Sequence, residues 1–382
     1  MVDFPQELID AIVDEVAATK YWSELMDRPS QRHLFKSLTR QKKSPPPGTT
    51  WATNARLLSY VLDLNLVDLD LGDQEQHIQL FTLCNRVTRC CIRFSGRSGW
   101  KWNSLPEKIC APLFSFLALP TLRCLQLDAF PGTSLPPSLI HYALASYSEV
   151  VLDTFTLDTD LDAVFLLTRL PSAHIQRLSR LSLPYRPYIS PALHRLVLGD
   201  DVKHQLQHLQ HLELIVPRRG LNDLEEILLN CGDSLQHLII NFRARPDNPL
   251  QLPHLPYLRL LTLKASTRTV RIPDALKHTL RILPQCTPSL EVLTIHVGSS
   301  YGDSEPYSEI HNRGTEEDTA LKCLPRLREV HVEVTTASPQ PDRTFSKRLF
   351  TEFPMAHEAG ILSCEYWPAS AHTYHPMRYF SN

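Results

Sequence analysis

His204, His208 and His211 stand four and three residues apart, the separation at which imidazoles share one face of a helix and can hold a divalent metal. They interleave with Leu206, Leu209 and Leu212, whose side chains seek a core, and no carboxylate completes a ligand set. The reading is therefore surface histidines of a structural repeat. Asp158, Asp160 and Asp162 copy the opening of a calcium loop, where alternate carboxylates supply the first oxygens. Ala163 stands where the sharp turn needs glycine, and Arg169 where a bidentate glutamate should close the shell, so calcium is not expected. The stretch Ser299–Thr319 gathers Asp303, Glu305, Glu309, Glu316, Glu317 and Asp318, and reads as a solvated acidic insertion between two strands. The chain contains no Gly-x-Ser-x-Gly elbow, no phosphate-cradling P-loop, no dinucleotide glycine fingerprint and no His-Glu-x-x-His pair. These residues predict no catalytic group, no metal and no cofactor, and so a protein that is not an enzyme.

What the sequence does repeat is a core pattern. Leu-x-x-Leu-x-Leu recurs at Leu122/Leu125/Leu127, Leu178/Leu181/Leu183, Leu209/Leu212/Leu214, Leu235/Leu238/Ile240, Leu258/Leu261/Leu263 and Leu290/Leu293/Ile295. Looser copies stand at Val61/Leu64/Leu66, Val87/Cys90/Ile92, Tyr147/Val150/Leu152 and Leu327/Val330/Val332. That makes about ten units, spaced on average roughly 30 residues apart, near the leucine-rich-repeat range. The last two apolar positions of each copy are two residues apart and so point to one face of a short strand, while the first plugs the core where the chain joins the strand. Return segments between copies carry helical periodicity: Asn222-Asp223 precede Leu224, Ile227 and Leu228, with Gly232 closing the run, and Pro273-Asp274 precede Leu276, Leu280 and Leu283. One strand and one helix cannot bury both faces alone, but a stack of such units can. The pattern predicts an α/β fold: an irregular leucine-rich-repeat solenoid, a horseshoe of parallel strands. The asparagine that usually follows each repeat strand is replaced by Phe130, Arg186, Pro217, Arg243, Ser266, Gly298 and Thr335, so the turns must satisfy their backbone groups by another route.

Strand alternation then selects the side chains that line the concave face, those flanking the inward leucines. In the first copies these are Arg89, Arg93, Gln126, Asp128, Glu149 and Asp153; in the later ones Arg180, Glu213, His237, Asn241, Lys264, Thr294, His296, Glu329 and His331. Their mixed charge predicts a protein or peptide target and argues against a polyanion.

Composition agrees with a folded, soluble protein. Hydrophobic residues make up 43% of the 382 and charged ones 21%, and the net charge of −2 gives no field for nucleic acid or an anionic membrane. Thirty prolines against 12 glycines suit stiff loops between short elements. The N-terminus has neither the basic region nor the apolar core of a signal peptide, and no apolar run is long enough to span a bilayer. Nine scattered cysteines without a Cys-x-x-Cys pair read as reduced thiols in the cytoplasm or nucleus.

Residues 3–16 form an amphipathic pattern, with Leu8, Ile9, Ile12, Val13 and Val16 on one face and Gln6, Glu7, Asp10, Asp14 and Glu15 opposite. Phe4-Pro5-Gln6-Glu7-Leu8-Ile9-Asp10-Ala11-Ile12 resembles the opening of an F-box. Ser30-Gln31-Arg32-His33-Leu34-Phe35-Lys36-Ser37-Leu38 resembles the segment that closes the F-box region in fungal F-box-like proteins with C-terminal leucine-rich repeats, and Arg56–Leu64 resembles the start of their repeats. The resemblance implies a substrate receptor of a cullin-type ubiquitin ligase. In it Phe4, Pro5, Leu8, Ile9 and Ile12 would dock on a Skp-type adaptor, and the repeats would hold the target. The chain departs from that family between the two matching ends: only Ala17–Pro29 separates them, too short for the second helix of an F-box. A binding scaffold without a ligase connection, in which the first helix caps the edge of the solenoid, is the other reading. The expected organisation is an F-box-like helical segment over 1–40 and a linker over 41–50, marked by Lys42-Lys43-Ser44-Pro45-Pro46-Pro47-Gly48. The repeats follow over 51–335, a C-terminal cap over 336–366 and a tail over 367–382.

Overall fold

A computed structural model describes residues 61–67, 74–93, 105, 107–128, 134–153, 156–157, 176–183, 197–216, 221–242, 250–267, 272–299, 315–336 and 343–368. The F-box-like segment with Phe4, Pro5, Leu8, Ile9 and Ile12, the 41–50 linker and the Asp158–Arg169 stretch lie outside the described residues. The chain divides into two compact units, Met1–Gln176 and Arg177–Asn382.

In the first unit, strands alternate with helices: β1 (Asp63–Val67), α1 (Gln74–Leu83), β2 (Arg89–Arg93), α2 (Glu107–Leu117), β3 (Cys124–Asp128), β4 (Ser134–Leu135), α3 (Pro137–Ser146), β5 (Glu149–Asp153) and β6 (Thr156–Leu157). Strands β1, β2, β3 and β5 pair in parallel and in chain order, while β4 and β6 form a small pair of their own. The second unit runs β7 (Arg180–Leu183), α4 (Asp200–Leu206), β8 (His211–Val216), α5 (Leu221–Cys231), β9 (His237–Phe242), β10 (Leu260–Thr267), α6 (Asp274–Cys286), β11 (Val292–Ser299), α7 (Thr315–Lys322), β12 (Glu329–Thr336), α8 (Arg343–Glu352), α9 (Pro354–Glu358) and β13 (Leu362–Pro368). Its seven strands also pair in parallel and in chain order. Parallel neighbours need a crossover, and return helices supply it at most steps, while the described part of the β9–β10 connection, residues 250–259, is coil and turn. Both units are thus solenoid-like α/β arrays with an open, all-parallel sheet.

Register follows the leucines. In the second unit one core column runs Leu181, Leu212, Leu238, Leu261, Leu293, Val330 and Leu362, and a second runs Leu183, Leu214, Ile240, Leu263, Ile295, Val332 and Cys364. Leu64, Cys90, Leu125 and Val150 head the equivalent columns in the first unit. The leading leucines Leu122, Leu178, Leu209, Leu235, Leu258 and Leu290 are fully buried. Burying a leucine contributes roughly 1.5–3 kcal/mol, so each repeat adds several such increments to its neighbour's core. A shift of one residue in register would expose a whole column, which is why chain order and register are fixed together.

On the side where the chain joins the strand, one backbone pattern recurs. There one carbonyl accepts two consecutive N–H groups of the next repeat: Thr88 from Arg123 and Cys124, Ser179 from Gln210 and His211, Gln210 from Gln236 and His237, Gln236 from Arg259 and Leu260, and Arg259 from Glu291 and Val292. At the far end, β10, β11 and β12 run on through Ser266, Gly298 and Thr335, so three positions of the expected asparagine are strand residues instead.

His204 lies in α4, His208 in the turn after it and His211 at the start of β8, so the three run from a helix into a repeat strand and share no helix face. One sequence expectation is corrected: the acidic insertion is not all loop. Glu316, Glu317 and Asp318 open helix α7, where carboxylates suit the positive end of the helix dipole. Glu317 is buried against Arg281 of α6 at 2.8 Å, and Asp318 accepts hydrogen bonds from the backbone N–H groups of Met355 (2.6 Å) and Ala356 (3.0 Å) in α9. Further on, β13 pairs in register with β12, so the segment read as a cap continues the sheet by one more strand.

Candidate functional site

Core columns on one side of the sheet leave the alternate positions on the other. All fifteen residues assigned to that face by sequence fall on these alternate positions. In the first unit, Arg89 and Glu149 occupy the first row, Gln126 the middle one, and Arg93, Asp128 and Asp153 the last. In the second unit Arg180, His237 and Glu329 lie in the first row, Glu213, Thr294 and His331 in the middle, and Asn241, Lys264 and His296 in the last.

Position is not availability, however. The first unit's charges pair among themselves: Arg93 donates to Asp128 at 2.6 Å, and Arg89 lies 3.7 Å from Glu149. Gln126 and its middle-row neighbour Val151 are buried. In the second unit the middle row is buried at Ser182, Glu213 and Ile239, with Glu213 only 2% exposed, and becomes half-exposed from Thr262 through Thr294 and His331 to Ser363. Ser182 donates its hydroxyl to the Glu213 carboxylate at 2.6 Å, which explains how that carboxylate tolerates burial. Gln126 and Glu213 therefore sit on the expected face but are buried.

Sequence reasoning missed His211 as a member of this face. Its ring meets His237 edge-on, centroids 4.3 Å apart, and its Nε2 is buried with no hydrogen-bond partner among the described residues. Burial drives the His211 imidazolium down to about 3, helped by His237 and Arg180, and the His237 imidazolium down to about 4, helped by Arg180 and Lys264. Both rings are neutral at neutral pH. His331 instead faces partners, Nδ1 at 2.6 Å from the Ser363 hydroxyl and Nε2 at 3.1 Å from Glu329, while His296 Nε2 lies 2.8 Å from the Thr335 hydroxyl. Glu333, Ser363 and Glu365 were missed as well. Glu333 follows Val332 as Lys264 follows Leu263 and His296 follows Ile295, so the alternation that gives those two also reaches it; Ser363 and Glu365 lie on β13, which carries no copy of the leucine motif.

No group of three or more metal-ligating side chains gathers among the described residues. No helix among them is long and apolar enough to cross a membrane. The arrangement aligns polar side chains along strands, with serine hydroxyls bonded to a carboxylate or an imidazole rather than poised beside a base and an acyl-binding pocket. What the geometry defines is a class of surface, a half-exposed polar strand face on a repeating α/β array. No protein-family model matches this chain, and no curated protein matches it.

Proposed function

We propose that this chain is a non-catalytic leucine-rich-repeat recognition module that holds a protein target on the strand face of β10–β13. The carrying observation is the gradient of exposure along the middle row, buried at Ser182, Glu213 and Ile239 and half-exposed at Thr262, Thr294, His331 and Ser363. A face of mixed polarity on rigid strands suits specific recognition, since the side chains are pre-positioned and lose little freedom on binding. A photo-crosslinking amino acid at Thr294 should trap a partner protein from cell extract, while the same group at Glu226, exposed on α5, should not. Equal trapping at both positions, or none at either, would overturn the reading.

The F-box resemblance extends this proposal to a substrate receptor of a cullin-type ubiquitin ligase. It rests on sequence resemblance at Phe4–Ile12, Ser30–Leu38 and Arg56–Leu64, with Phe4, Pro5, Leu8, Ile9 and Ile12 as the adaptor contacts. Affinity capture of the full chain tests it: a Skp-type adaptor and a cullin should come down with the protein, and their absence leaves a recognition scaffold without a ligase connection.

A further inference from the structure

Gln126 lies in the middle row of the first unit's strand face, with Cys91 of β2 and then Asn65 of β1 on one side and Val151 of β5 on the other. It is only 7% exposed, yet its amide has no hydrogen-bond partner among the described residues, and neither amide atom is sealed from solvent. Asn65 shows the same oddity at half burial: its Oδ1 is buried without a partner. A carboxamide carries donors and acceptors together, and leaving them unmade in a buried place costs stability, so two such groups in one row need a reason. The rows on either side do not supply it, because their charges pair with one another: Arg93 donates to Asp128 at 2.6 Å, and Arg89 lies 3.7 Å from Glu149.

Between the two amides stands Cys91, the smallest side chain of the row, half-buried and flanked along β2 by Arg89 and Arg93. Neighbouring strands lie about 4.8 Å apart, so the backbones at Asn65 and Gln126 are about 10 Å apart with Cys91 as the floor between them. That gap holds one planar amide group with a hydrogen bond of about 2.9 Å to each side. Burial holds the Cys91 thiol up at about 12, so the floor is uncharged and unreactive at neutral pH.

We infer that this slot takes the side-chain carboxamide of a glutamine from a partner protein, inserted end-on above Cys91 between Asn65 and Gln126. It is a second contact, separate from the β10–β13 face, and rests on the recognition reading only in that the ligand belongs to a protein. Glu149, diagonal to Gln126 on β5, keeps Oε2 without a partner. The ligand's N–H2 group therefore turns to the Gln126 end and donates to its Oε1, while the ligand carbonyl accepts from Asn65 Nδ2. Both charged alternatives are disfavoured: an ammonium above Cys91 would stand between Arg89 and Arg93, and a carboxylate would stand beside Asp128 and Glu149. A backbone amide does not serve, since a chain laid along β2 meets both arginine side chains. Glutamine is favoured over asparagine because its longer stem reaches the recessed Gln126 amide past those arginines.

The test uses the full chain and a fluorescein-labelled decapeptide of alternating glycine and glutamine, read by anisotropy at about 0.15 M salt. The glutamine peptide should bind saturably, and the same peptide with glutamate or lysine in place of glutamine should bind at least tenfold more weakly. Gln126→Leu should weaken binding at least tenfold without lowering Tm, because it removes an amide that the fold does not use. Cys91→Leu, which fills the floor and leaves both amides in place, should weaken binding as much. If Cys91→Leu does not fold, Cys91→Val carries the same test with a smaller increase in bulk. Gln285→Leu, which removes an exposed amide from α6, should change binding less than twofold. Absence of saturable binding, equal binding of the three peptides, wild-type affinity in the Gln126 or Cys91 variants, or a fall in Tm in Gln126→Leu would each overturn the inference. A partner that crosslinks at Thr294 while the glutamine peptide fails to bind would leave the recognition face standing and remove the slot alone.

Discussion

Lowering the pH from 7.5 to 5 should destabilise the second unit through His211 and His237. Both rings are held neutral when folded, at about 3 and about 4, against an ordinary value of 6.5. Between those values the unfolded chain binds the protons and the folded chain does not. Stability is therefore fully present above pH 6.5 and is lost progressively as the pH falls toward the folded values. From 6.5 to 5 the loss is about 1.4 kcal/mol per pH unit per ring, or about 2 kcal/mol each. Both rings keep some contact with solvent and each raises the other's cost, so about 3 kcal/mol for the pair is the expected size. For a unit of some 200 residues that is a fall in Tm of roughly 6–12 °C. The control is His211→Leu/His237→Leu, whose side chains do not titrate and whose row already continues as Leu260 and Val292. Thermal melts of both proteins at pH 7.5 and 5 decide the matter. The variant should lose markedly less than the wild type. An equal loss in both would mean that these rings accept protons in the folded state, and that the burial argument is wrong.

Three further outcomes follow from the packing. Leu238→Ala, in the middle of a core column, should cost about 2–5 kcal/mol in urea unfolding, because the rigid columns on both sides cannot collapse into the cavity; a change below 0.5 kcal/mol would contradict its burial. Asp318→Ala should cost about 1–2 kcal/mol by stripping the acceptor from two backbone N–H groups of α9, and hydrogen exchange at Met355 and Ala356 should quicken while that at β8 stays unchanged. In the native protein a thiol reagent at pH 8 should modify exposed Cys323 first, while Cys84 and Cys231, pushed up by burial to about 12, and Cys90, whose thiol burial also pushes well up, should react only on unfolding.

How much of this was legible in the sequence depended on whether a property is local. Leucine spacing fixes which side chains point inward, and inward-pointing columns fix register, so the strands around Leu125, Leu181, Leu212, Leu238, Leu261, Leu293 and Val330 could be placed in advance. Helix limits were nearly as clear at Leu221–Cys231 and Asp274–Cys286, where proline or a capping pair precedes an apolar face. Glu316–Asp318 misled because three acids in a row look solvated, and only the distant Arg281 and the N-terminus of α9 explain why two of them are buried. His211 was placed at the entry of a repeat strand by its leucines, but its contact with His237 across the strands has no sequence signal.

Availability is the harder quantity, because it depends on what stands beside a residue rather than on where it points. Alternation places Glu213 and Thr294 in the same row with equal certainty. Glu213 is flanked by Ser182 and Ile239, whereas Thr294 is flanked by Thr262 and His331. Each has one small and one larger flank, so neighbour length does not set exposure; Glu213 is withdrawn where its carboxylate accepts the Ser182 hydroxyl at 2.6 Å, a contact between strands that the residue's own position does not reveal.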